Sequence, residues 1–156
     1  VLVLIAKPIS RTEFIVGKHL GLSAVLAVLV AAMTAIYMIV LFLSQISFPV
    51  GNILVSSLFL FFQLSLITAV AIVFGVFTSS LLATLLTFAV YLMGNFTRDL
   101  VTLGALSKNP AIATMTQNLY LVLPDLARLD LKNQAVYGQL PGADVLLANL
   151  GYGLLY

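Results

Sequence analysis

From His19 through Thr97 the chain runs 79 residues without an Asp, Glu, Lys or Arg. As one helix this stretch would extend about 120 Å, against a hydrocarbon core of about 30 Å, so it must fold back on itself. Polar interruptions mark where. Ser44-Gln45-Ile46-Ser47-Phe48-Pro49-Val50-Gly51-Asn52 collects polar residues, a proline and a glycine, and Thr78-Ser79-Ser80 follows Gly75 near the middle of what remains. The pattern predicts three membrane-spanning helices, over residues 20–43, 53–77 and 81–97.

The approach to the first span is written in capping residues. Ser10-Arg11-Thr12-Glu13 has the spacing of a capping box, in which serine hydroxyl and glutamate carboxylate each accept from the other residue's amide. Ile9 and Phe14 flank it at the positions of a hydrophobic staple. Pro8 drives Lys7 out of helical geometry, so one element ends near Lys7 and another starts at Arg11.

Beyond Arg98 the pattern changes. Residues 98–144 hold Arg98, Lys108, Arg128 and Lys132 against Asp99, Asp125, Asp130 and Asp144, which predicts a water-facing connection long enough to need structure of its own. Asn109-Pro110 reads as a helix start. Ile112, Met115, Leu119 and Val122 then recur at helical spacing until Pro124, as in an amphipathic helix on the membrane or on the other helices. Pro141-Gly142-Ala143-Asp144 leads into a last apolar stretch, 145–156, about 12 residues where a span needs about 20.

Composition fits lipid as the solvent. The chain is 62% hydrophobic and 8% charged, whereas a soluble domain carries about 25% charged residues. A net charge of +2 with no basic-aromatic cluster gives no reason to expect nucleic acid, and the lack of cysteine removes disulfides and thiolate metal sites. The expected fold is therefore all-α: a polytopic transmembrane helix bundle of about four spans, the last truncated, plus the amphipathic helix. The non-methionine start and the short final stretch read as an internal fragment of a single transmembrane domain.

Basic residues orient it. Lys7, Arg11 and Lys18 gather before the first span, which assigns residues 1–19 to the cytoplasm and, after three crossings, residues 98–144 to the far side.

Catalytic chemistry is thin. His19 has no carboxylate partner in any expected span, and no P-loop is present, so the chain does not bind ATP through one. No cofactor is expected. Gly17 and Gly21 have the GxxxG spacing that lets helices approach closely. Gln63, about ten residues into its span, should face another helix, since a polar group in lipid needs a partner. The expected spans carry no carboxylate of the kind that proton- or sodium-coupled transport uses, and no cluster for an intramembrane enzyme.

Ala6-Lys7-Pro8-Ile9-Ser10-Arg11, followed by Gly17-Lys18 and a long apolar span, resembles the permease subunits of ABC-2 type exporters. Leu123-Pro124-Asp125-Leu126, Leu131-Lys132 and Val136-Tyr137-Gly138 resemble the connection before the last helix in one bacterial branch, that of multi-copper and nitrous-oxide-reductase maturation. The resemblance implies a multi-pass inner-membrane permease, paired as a homodimer or with a second permease, exporting its substrate on ATP hydrolysed by a separate ATPase subunit. Lys7, Pro8, Ile9, Ser10, Arg11, Gly17 and Lys18 would then form the turn that contacts the ATPase. The alternative is a membrane scaffold or assembly factor without transport activity.

Overall fold

A computed structural model of the protein describes residues 10–106, 111–112, 114–116, 118 and 124–155. Lys7, Pro8 and Ile9 of the basic turn lie outside the described residues, as do Asn109, Pro110, Leu119, Val122 and Leu123. Those described form helices joined by short turns, with no strand among them.

Helix α1 (Arg11–Leu43) opens on the capping box that the sequence indicates, with Ser10 in extended backbone ahead of it. Its far end closes in a Schellman motif. The Gln45 amide donates to the Phe42 carbonyl at 3.1 Å and the Ile46 amide to that of Leu41 at 3.3 Å. The motif needs a left-handed residue at Gln45, whose φ is 56°, a conformation glycine adopts without strain and glutamine does not.

Helix α2 (Val50–Phe77) follows Pro49, and Thr78 and Ser79 separate it from α3 (Ser80–Leu106). Helices α1 and α2 are long and apolar enough to cross a bilayer; the apolar part of α3 is Ser80–Phe96. Helix α3 continues nine residues beyond Thr97, where the sequence pattern ends the span. Arg98 and Asp99 change the solvent a helix prefers, and neither breaks one.

The described residues from 111 to 118 are helical, and Gly104 of α3 abuts Thr116, so this segment packs back onto α3. A 3-10 turn (Leu126–Arg128), a short helix α4 (Lys132–Val136) and a final helix α5 (Ala143–Leu155) complete the chain.

Helix α2 is the axis of the bundle: α1, α3, α4 and α5 all pack against it. The core joins Phe59 and Leu66 of α2 to Leu126, Leu129 and Leu131. The stretch around these leucines is therefore buried, although the charges around it suggested a water-facing connection. Between those charges Leu126, Leu129 and Leu131 supply the apolar surface, and burying each removes it from solvent. By contrast α1 has no buried residue and presents its apolar surface outward. The result is an all-α transmembrane bundle.

Candidate functional site

The helix joint comes first. The Ser10 amide donates to Glu13 Oε2 at 2.9 Å, and the Glu13 amide donates to Ser10 Oγ at 3.1 Å. Two amides that would otherwise lack partners at the helix start are thereby satisfied. The Ser10 amide and then its hydroxyl hold the Glu13 carboxyl below its ordinary value of 4.5, because both interactions favour the charged form. Arg11 is exposed beside this joint, and a side chain added at Gly17 would meet open space.

Lys18 lies elsewhere. Its side chain lines a groove of about 560 Å³ that runs between α1 and α3 across the face of α2. Ile67, Ala71 and Gly75 form its floor, and Thr84, Thr87 and Tyr91 stand on its α3 wall. The Thr84 and Thr87 hydroxyls donate to the Ser80 and Ala83 carbonyls at 2.9 and 2.7 Å, so both are satisfied on their own helix.

A polar layer crosses the middle of the bundle. Ser65 Oγ of α2 lies 3.2 Å from Ser23 Oγ and 3.5 Å from His19 Nε2, both on α1. On the other side of α2, Gln63 Nε2 donates to Asn95 Oδ1 of α3 at 3.5 Å, while Asn95 Nδ2 donates to the Tyr91 carbonyl at 2.8 Å. Gln63 is only 2% exposed, and its Oε1 has no hydrogen-bond partner among the described residues. The contacts between helices are long, near the limit for a hydrogen bond. They set the register of three helices more than they hold them together.

Next to this layer sits a cluster that sequence reasoning did not assemble. Asp125, 2% exposed, receives Arg128 Nε on its Oδ2 at 3.0 Å. The Arg128 guanidinium lies 5.2 Å from the centre of the Tyr152 ring, within cation–π range, and the Tyr152 hydroxyl accepts from the Asp125 amide at 2.7 Å. Pro124 and Leu126 press on Gly94 of α3, one residue from Asn95. The i, i+3 spacing of Asp125 and Arg128 was visible in the sequence. Tyr152, 27 residues further on, had no local signal.

The structure thus brings Ser10 and Arg11 together at one end of α1, with Lys18 in the groove and Gln63 in the layer above it. Among the described residues no group of three or more His, Cys, Asp or Glu could hold a metal ion. What the fold and this arrangement define is an integral membrane bundle with polar contacts between its helices. The chain belongs to the ABC-2 family of transporter proteins, whose family model matches residues 1–154. Comparisons with curated proteins and with solved structures gave no match.

Proposed function

We propose that this ABC-2 permease component is the multi-pass inner-membrane subunit of a bacterial exporter, paired as a homodimer or with a second permease and driven by ATP hydrolysis on a separate ATPase subunit. The observation that carries the reading is the joint at Ser10 and Glu13. Two reciprocal hydrogen bonds between Ser10 and Glu13 fix the start of a 33-residue helix, so force applied there, at Arg11, reaches the bundle. Lys7, Arg11 and Lys18 favour the cytoplasm for this end of α1, where an ATPase would dock. Leu123-Pro124-Asp125-Leu126 and Val136-Tyr137-Gly138 support the multi-copper and nitrous-oxide-reductase maturation branch by resemblance.

Co-purification of the ATPase with wild type and Arg11→Lys, at low and high salt, tests the reading. Lysine keeps the positive charge that sets topology but lacks the planar fork of donors. The variant should insert normally and recover less ATPase, by about 1.5–3 kcal/mol if the contact is buried on docking. Failure of wild type to retain an ATPase at either salt would favour the non-transporting scaffold.

A further inference from the structure

In the sequence Lys18 reads as a boundary residue, one of three cations before the first span. The register of the helices sets it beside the groove. Ser23 and His19 meet Ser65 on antiparallel α2, and Gln63 meets Asn95 on antiparallel α3, so Lys18 stands level with Ile67 and Tyr91. Both of those residues line the groove with it. Ile67 is ten residues from the end of α2 at Phe77, and Tyr91 is eleven from the start of α3 at Ser80. At about 1.5 Å per residue Lys18 lies about 15 Å along α2 and α3 from the turn that joins them and about 10 Å along α1 from Arg11, with its side chain exposed.

A lysine charge standing beside apolar helix surface needs a counter-charge or water. Among the described residues Lys18 has no ion pair, and no carboxylate lines the groove. Past Ile67 the floor that α2 offers is Ala71 and Gly75, and nothing lies within 4 Å of where a Gly75 side chain would start. Its volume of about 560 Å³ falls in the range of about 300–1,000 Å³ that small-ligand pockets occupy. Along α3 its wall carries Ser80, Thr84, Thr87 and Tyr91, one or two per turn, leading from the helix start to the level of Lys18. The two threonines can each exchange an intrahelical bond for one to an oxyanion.

We infer that the groove is a crevice that takes a small organic anion, with its charged group against Lys18 and its polar atoms on the hydroxyl wall. The inference rests on the permease reading for its meaning, since such a crevice selects an anionic solute for export, and on the orientation above for the side from which it opens. The polar layer lies beyond its inner end: Asn95 is one turn past Tyr91, and Pro124 and Leu126 cover Gly94 beside it.

The test uses two thiol reagents of similar size and opposite charge, sulfonatoethyl and trimethylammonioethyl methanethiosulfonate. They are applied to Thr87→Cys in the full-length protein in membrane vesicles. The 156 residues contain no cysteine to interfere. With rates normalised to a free thiol, Cys-substituted position 87 should prefer the anionic reagent about fivefold or more, as a unit charge lining the same groove favours. Lys18→Gln should bring the ratio close to one, Lys18→Arg should retain it, and salt should weaken it. Equal rates, a preference unchanged in Lys18→Gln, or no reaction with either reagent while Ser79→Cys reacts would overturn the inference. The last result would mean that a helix or lipid fills the groove. Selective reaction reached only from the extracytoplasmic side would leave the crevice standing and overturn the orientation instead. None of these outcomes depends on the ATPase.

Discussion

The amide of Asp125 and the phenol of Tyr152 meet at 2.7 Å across 27 residues of chain, and this bond fastens the buried stretch at Leu126–Leu131 to the final helix. The Tyr152 ring also faces the Arg128 guanidinium, and Arg128 in turn holds the Asp125 carboxylate. One side chain on α5 therefore positions both the backbone and the ion pair of a segment that lies against α2 and α3.

Tyr152→Phe separates these roles. The ring and its cation–π contact remain, while the Asp125 amide, itself part of a buried residue, loses this acceptor. The expected cost is about 1–3 kcal/mol of stability. Thermal unfolding of the detergent-purified protein reads it directly, and an unchanged midpoint would show that the hydroxyl is dispensable.

Gly94 and Gly21 offer a matched pair. A Cβ at Gly94 would come within 2.7 Å of the Pro124 carbonyl oxygen and 2.8 Å of Leu126, whereas at Gly21 it would meet nothing within 4 Å. Gly94→Ala should destabilise by about 1–3 kcal/mol through overpacking. Gly21→Ala should be neutral or stabilising by up to about 1 kcal/mol. Parallel denaturation of the two variants checks both, and a destabilised Gly21→Ala would reveal a helix packed against α1 at that point.

The joint at the start of α1 should respond to pH. Hydrogen bonds from Ser10 lower the Glu13 pKa in the folded chain, so the stabilisation is present above the ordinary value of 4.5. It is lost as pH falls through the lowered folded value. Amide hydrogen exchange at residues 11–14 should accelerate below that window in wild type. Ser10→Ala should lose about 1 kcal/mol of cap at neutral pH, while Glu13→Gln, which removes the titrating group, should flatten the acid response. Identical pH profiles for wild type and Glu13→Gln would remove Glu13 from the account.

Gln45→Gly should stabilise. The Schellman motif holds this residue at φ 56°, where a side chain costs about 1–2 kcal/mol and glycine costs none. Part of that gain is offset by the larger entropy glycine loses on folding, leaving a net rise in the unfolding midpoint. A fall would mean that the glutamine side chain makes a contact outside this chain.

By itself the sequence determined the class of fold and several of its joints. A 79-residue stretch without formal charge has one physical solution, helices in lipid. The box at Ser10 and Glu13 is read from four consecutive residues because capping is local chemistry. Even the partner-seeking character of Gln63 was legible, since an amide in an apolar helix must hydrogen-bond somewhere. Only the tertiary structure decided that the partner is Asn95, that Leu126, Leu129 and Leu131 are core, and that Lys18 stands level with Ile67 and Tyr91. Each of these depends on how one helix slides and tilts along another. That register is fixed by side-chain packing between residues distant in the chain, and the spacing of residues within a single helix does not specify it.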